Sequence, residues 1–411
     1  MIRSDAAWAP ILTGEAKAEA LSAVDDIAVA LQSSVTDQSS LSGGNAGIAL
    51  FFGFLSEVRE QAKEETLDIA CRFLRLAFDT TRDSVTSPSL YGGFTGIGWA
   101  AERFRPLVSF DEDVNSDVDA ALGRYLAERQ PRCGYELLNG LVGFGVYAIE
   151  RRNRTLVEAV IRRLREMAEI TDDGVTWFTP PQHYPEAVRQ RLPHGYYNLG
   201  VAHGVPAAIT FLAWACAFDF GADTARMLLD GAVRWLLSKR ITGKGGCFPS
   251  MLSPDIEEAA PHSRLSWCYG DLGISLTLLG AARCVGDSSW EAEALGIARH
   301  ATRIPAVIGG TLDAGICHGA GGNAHLFNRL YQATREPVFL DAALRWFKLT
   351  LSLRRPETGI GGFQAWRPEE GWQSRPGLLD GSAGIGLALL AGLGGVIPDW
   401  DRMLLVSVDP R

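Results

Sequence analysis

A chain of 411 residues with 47% apolar and 21% charged residues can bury a large core, which excludes wholesale disorder. Its formal charge of −9, from 39 basic and 48 acidic residues, argues mildly against a nucleic-acid partner and suits a soluble protein able to attract a basic peptide, although a generic acidic surface is the commoner reason for such a charge. Seven cysteines, an odd number, behind a first ten residues without a cationic start and apolar core, point to reduced thiols in a cytoplasmic protein, not to a disulfide framework.

Taken in chain order, two kinds of helical segment alternate. An amphipathic pattern over Glu15–Leu31 leads to a Gly-x-x-Gly unit at Gly44–Gly47 and the apolar run Ile48–Leu55. In Glu65–Asp79, Ala70, Phe73, Leu74 and Ala77 keep helical spacing while Arg72 and Arg75 take other faces; Gly93–Gly96 follows. Asp117–Glu128 precedes Gly140–Gly143, and Thr155–Ile170 precedes Gly204–Ala207, where the second glycine is replaced. Asp223–Lys239, Ser288–Thr302 and Pro337–Leu353 precede Gly270–Gly273, Gly319–Gly322 and Gly381–Gly384, each again followed by an apolar run. Amphipathic helices need one wet side, and helices apolar all round need protein on every side. Two concentric rings meet both demands, so the repeats predict an all-α fold, an (α/α) toroid of seven helix pairs, about fourteen helices, in a single domain over residues 1–411. An open solenoid would expose its last apolar helix. The glycines, at the start of each inner helix, answer to tight packing and positive φ.

The first glycines recur at intervals of 47 to 66 residues, and the long intervals mark loop insertions near residues 171–200 and 241–266. The first carries Val175-Thr176-Trp177-Phe178, then Pro180, Pro181 and Pro185; the second carries Gly243, Gly245, Gly246 and Pro249. Each reads as a loop with a short strand, placed where a lid or peptide groove would be built. Leu199–Phe218 and Gly381–Trp400 have few charges but contain glycine and proline, and read as buried helices, not membrane spans. Cys71, Cys216 and Cys284 fall in apolar helical stretches as small buried hydrophobes.

Three motifs carry extra polar groups: Ala202-His203-Gly204, Trp267-Cys268-Tyr269-Gly270 and Cys317-His318-Gly319. A closed ring would bring equivalent motif positions together, so Cys268, Cys317 and His318 would meet across long sequence distances. Two cysteines, one histidine and an open fourth position make a catalytic zinc set. There is no Cys-x-x-Cys pair, and each cysteine alone reads as a buried structural residue. The adjacent Cys317-His318 pair and the matched repeat positions favour the metal.

The segments Val201-Ala202-His203-Gly204, Ser266-Trp267-Cys268-Tyr269-Gly270-Asp271 and Ile316-Cys317-His318-Gly319 resemble the signature motifs of the lanthionine synthetase C-like family, and Gly377–Gly386 resembles its last repeat. The likeness runs through all seven repeats. It implies an (α/α) toroid with Cys268, Cys317 and His318 as zinc ligands, His203 as an acid/base histidine, and Arg264 and Tyr269 as active-site residues. Tyr135-Glu136-Leu137-Leu138-Asn139-Gly140 matches a segment where the family usually has aspartate in place of Glu136. Plainer roles stay open for four of these: His203 as a core histidine, Arg264 as an ion-pair partner, Tyr269 as packing beside the metal, and Glu136 as a support for its neighbours or a helix cap. His194, His262 and His325 receive no role, and Cys133 and Cys247 read as spectators.

The implied reaction is intramolecular addition of cysteine thiols to dehydroalanine or dehydrobutyrine in a precursor peptide, giving lanthionine and methyllanthionine rings. The implied cofactor is Zn2+. The implied partners are the dehydrated precursor peptide (leader plus core), a separate dehydratase and a membrane exporter complex. Two rivals stand beside it: a LanC-like enzyme adding glutathione to dehydrated peptides or proteins, and a non-catalytic zinc-bearing peptide-binding scaffold.

Overall fold

Each amphipathic segment and each apolar run forms a helix in the computed structural model, which describes residues 8–82, 87–109, 112–128, 133–241, 246–256 and 264–408. The long helices are α1 (Gly14–Gln32), α2 (Asn45–Val58), α3 (Lys63–Arg82), α4 (Phe94–Phe104), α5 (Ser116–Ala127), α6 (Leu141–Glu150) and α7 (Arg154–Met167). After α8, a single turn at Glu186–Arg189, come α9 (Val205–Ala217), α10 (Ala222–Ser238), α11 (Asp271–Val285) and α12 (Ser288–Ala301). The single turn α13 (Ala306–Gly309) is followed by α14 (Ala320–Thr334), α15 (Pro337–Ser352) and α16 (Ser382–Leu393).

Two compact units divide the chain. One comprises Arg3–Ser116 and Gly310–Arg402, the other Asp117–Gly309 and Met403–Arg411. In the first, the apolar helices α4, α2, α16 and α14 pack in that order, each against the next. Every residue of α16 is buried, as a helix without a polar stripe requires. The amphipathic helices lie against them: α3 on α2, α15 on α14, and α1 on α16. α3 and α15 therefore pack on the apolar helix before each of them, and the chain's first helix covers its last apolar one. Hydrogen bonds fasten this contact, with the N–H groups of Ile11 and Leu12 donating to the Gly392 carbonyl at 3.0 and 3.1 Å and the Trp8 side-chain Nε1 donating to the Ala391 carbonyl at 2.8 Å.

In the second unit α6, α9 and α11 form the apolar row, backed by α7, α10 and α12. α7 shows the logic of an outer helix. Leu156, Val157, Val160, Ile161 and Leu164 make one buried stripe, and the Asn153 side chain caps it by accepting from the Leu156 N–H at 3.2 Å. It stops at Met167, short of the predicted Ile170, because Glu169–Thr171 pairs as β1 with β2 (Gly174–Thr176). The insertions then share a sheet: β3 (Phe178–Thr179), β4 (Tyr196–Asn198) and β5 (Met251–Leu252) pair antiparallel in that order, Phe178 facing Tyr197 and Tyr197 facing Leu252. A third insertion, signalled only by the 62-residue interval before Gly381, contains the hairpin β6 (Ala365–Arg367) and β7 (Gly371–Gln373) in the first unit.

The motif glycines sit immediately before their apolar helices, but most are not there for positive φ. Gly270 alone among the seven first glycines has it, at 98°. The others are extended and answer to crowding: a Cβ at Gly93 would lie 1.8 Å from the Ser87 carbonyl oxygen. The turns are also joined sideways within each unit. Ser42 N–H donates to Tyr91, the N–H groups of Leu378 and Leu379 donate to Ser42, and Cys317 N–H donates to Leu379 at 2.9 Å, while Ala202 N–H donates to Cys268 at 3.3 Å. Cys71, Cys216 and Cys284 are half-buried, more exposed than their apolar settings predict. No helix among the described residues is long and apolar enough to cross a membrane.

Candidate active site

The two insertions and the motif turns build one wall of the second unit. Strand β4 ends at Asn198, whose side chain organises the neighbouring turns: Oδ1 accepts from the Gly200 N–H at 2.8 Å and Nδ2 donates to the Tyr269 hydroxyl at 3.0 Å. His203 comes next along the chain, just before α9. Its Nδ1 lies 2.8 Å from Glu136 Oε2. The Glu136 carboxylate is itself fixed, accepting from the main-chain N–H groups of Leu138 at 2.9 Å and Asn139 at 2.5 Å. The longer arm of glutamate thus caps its own turn and still reaches the imidazole.

Burial pulls the His203 pKa down, but the hydrogen bond and charge of Glu136, with Cys268 nearby, outweigh it, and the net shift is upward. Burial pushes the Tyr269 hydroxyl well above its ordinary value, so it stays neutral at physiological pH. Glu136, His203 and Tyr269 open together onto a cavity of about 1080 Å3. Its far side is apolar, formed by the packed cluster of Tyr184, Leu192 and Tyr196 with Met251 and Ile256 from the second insertion.

Cys268 is buried just before α11. Ser266 holds its turn, the hydroxyl donating to the Tyr269 carbonyl at 2.7 Å, accepting from the Tyr269 N–H at 3.2 Å and lying 3.5 Å from Cys268 Sγ. Trp267 pins the same turn by donating from Nε1 to Leu404 at 2.8 Å. Arg264 is half-buried and follows residues 257–263, so His262 falls outside the described residues. In the first unit, Cys317 and His318 are half-buried ahead of α14. Asp313, almost fully buried, shapes their turn by accepting from the Gly315 N–H at 3.1 Å and the Trp366 N–H at 2.9 Å. Tyr91 is buried, and burial together with the neighbouring Cys317 raises its pKa.

Of the predicted site residues, the structure brings Glu136, His203 and Tyr269 to one cavity and puts Cys268 one residue from Tyr269. Sequence reasoning missed three supports. Ser266 lay inside a quoted motif, Asn198 lay in the approach to the His203 motif, and Asp313 precedes Cys317 by four residues with no pattern to mark it. The described residues include potential cysteine and histidine metal ligands, Cys268, Cys317 and His318 among them.

The paired helices and glycine-marked turns define the class: the chain belongs to the lanthionine synthetase C-like family, whose pattern it matches over residues 35–405. Its fold is that of nisin cyclase, an (α/α) toroid, with a TM-score of 0.74 and 17% identity over 91% of this chain and 94% of that one. A probable SapB synthase of Streptomyces coelicolor is 41% identical over 80 residues, 20% of this chain, and the match spans only 8% of that protein's length.

Proposed function

We propose that this chain is a zinc-dependent lanthipeptide cyclase that adds cysteine thiols of a dehydrated precursor peptide, leader plus core, to dehydroalanine or dehydrobutyrine, with residues 1–411 acting as one cytoplasmic cyclase domain. The observation that carries the reading is the His203–Glu136 pair opening, with Tyr269, onto a cavity wide enough for a peptide, in a chain of this family.

Cys268, Cys317 and His318 would hold the zinc ion. Each offers one ligand atom, and two sulfurs with one imidazole fit zinc with a fourth position left for substrate. When bound, zinc deprotonates a coordinated thiol that otherwise, with a pKa of ~8.5, is mostly protonated at neutral pH.

The protein's own groups account for the protons. The substrate sulfur forms a bond to the β carbon of the dehydro residue, the π electrons shift to an enolate, and the α carbon takes up a proton. With Nδ1 committed to Glu136, His203 has Nε2 left to accept the thiol proton and return it to that carbon. Glu136 orients the ring and stabilises its charged form. Tyr269, neutral and held by Asn198, donates toward the enolate oxygen, a role shared with Arg264. The apolar cluster of Tyr184, Leu192 and Tyr196 takes the peptide's apolar side chains and excludes water. A dehydratase supplies the alkene, and an exporter complex takes the product.

Incubation with a dehydrated precursor peptide tests this directly. Loss of peptide thiol without mass change is expected. Reaction only when glutathione is added would support the glutathione-adding rival, and binding without turnover would support the scaffold.

A further inference from the structure

The second unit contains another set of metal-type donors, one that the cyclase chemistry does not use. Cys247, Asp271 and His300 each present one donor atom, and the three atoms lie within 4.8 Å of one another. Cys247 and Asp271 are buried and His300 is half-buried. They come from three elements: the second insertion, the start of α11 and the last turn of α12. Asp271 is fixed in place by its own loop, accepting from the main-chain N–H groups of Cys247 at 2.7 Å and Phe248 at 3.2 Å.

The imidazole is the informative member. Nδ1 of His300 is shielded from solvent and has no hydrogen-bond partner, an arrangement that calls for an explanation. It lies 3.5 Å from Asp271 Oδ2. That is beyond the usual ~2.7–3.2 Å of an N–H···O bond. It is close to the ~3.3 Å that separates two ligands on a tetrahedral zinc with bonds of ~2.0–2.1 Å. Burial, with the Asp271 carboxylate beside it, pushes the Cys247 thiol up to about 11, so without a cation the sulfur keeps its proton. The Arg240 guanidinium donates a long hydrogen bond to Cys247 Sγ at 3.9 Å, which offsets part of that rise, and is shared with Glu293, whose carboxylate it meets at 2.7 Å.

We propose that Cys247, Asp271 and His300 form a second zinc site, with water as the fourth ligand. On binding, the Cys247 thiol gives its proton to solvent and the metal takes its place, completing the coordination of sulfur, carboxylate and Nδ1. The ion ties the second insertion to α11 and α12. That fixes the segment leading to Met251 and Ile256 on the cavity wall. The site shares no ligand with Cys268, Cys317 and His318, and stands or falls separately from the cyclase reading.

Metal content of the full chain distinguishes the two. A Cys317→Ser/His318→Ala double variant lacks two ligands of the other site. It should still hold one zinc, and after replacement by Co(II) should show thiolate-to-cobalt absorption. Adding His300→Ala or Cys247→Ser should remove the zinc and the absorption with the circular dichroism spectrum unchanged. If the double variant is poorly folded, the wild-type background serves: two zinc ions per chain should fall to one in His300→Ala, with the circular dichroism spectrum unchanged. A folded double variant without metal, or metal retained after both His300→Ala and Cys247→Ser, overturns the second site. The difference between wild type and the double variant reports on the other site alone.

Discussion

His203 and His325 each hold a carboxylate through one ring nitrogen, at 2.8 Å to Glu136 and 2.7 Å to Asp401, yet their surroundings drive them in opposite directions. His325 is fully buried on α14, stacked on Trp400 with ring centroids 4.7 Å apart. Arg329 reaches Asp401 as well, at 2.6 and 2.8 Å. Burial lowers the pKa of His325 more than Asp401 restores it, and Arg329 adds a further push down. His203 opens onto a cavity, its charged neighbours Glu136 and Cys268 both favour the protonated ring, and its pKa rises. A histidine–carboxylate pair thus makes a structural clasp where a third charge closes it, and in the function proposed above a proton-transfer group where the third place is left to substrate. A histidine–carboxylate pair by itself indicates neither.

The comparison can be broken most forcefully at the clasp. Asp401→Ala should cost about 3–5 kcal/mol of stability, because it leaves a buried guanidinium unpaired. Chemical denaturation would read the loss, and the turnover of molecules that remain folded should be unchanged. The sign with pH follows from Asp401. Burial raises its pKa, but Arg329 and His325 pull it below the ordinary value. The stability it contributes is therefore complete above roughly pH 4 and is lost as pH falls through the native value. Acid unfolding of wild type should steepen there, and Asp401→Asn should lose that dependence.

At the other pair the balance reverses. His203→Ala should lower cyclisation ~10²–10⁴-fold in single-turnover assays, as loss of one acid/base group does, with little change in melting temperature. Gly93→Ala perturbs neither pair and should destabilise by about 1–3 kcal/mol from overpacking against Ser87, read by thermal melting. The smallest effect is also the sharpest. Glu136→Gln removes the charge that raises the His203 pKa, so the low-pH limb of the rate profile, where the ring must be neutral to accept the thiol proton, should move to lower pH. Glu136→Asp should restore it in part if the shorter arm still reaches Nδ1.

The fold was legible because its signal repeats. The α16 run is apolar all round and is buried all round; the α7 stripe is read from Leu156 to Leu164 alone. Packing partners were less legible. Helical periodicity says which face is buried but not against what, so the pairing of α1 with α16 was visible only in three dimensions. Positive φ was overestimated because crowding and left-handed backbone both select glycine, and only the folded backbone separates Gly93 from Gly270. In the site, His203 and Cys268 stood out as polar residues in a repeated apolar frame. Asn198, Ser266 and Asp313 did not, since their work is done by hydrogen bonds to backbone or to distant side chains. Cys247 looked like a spectator because its neighbours, Asp271 and His300, are 24 and 53 residues away in sequence.

Bound zinc and ring formation, measured side by side in His318→Ala and His203→Ala, decide whether a metal-held thiol and a separate proton-transfer histidine share the work. His318→Ala should lose one zinc ion per chain together with cyclisation, while His203→Ala should keep its zinc and lose turnover. A His318→Ala chain that closes rings at the wild-type rate without that ion would contradict the division.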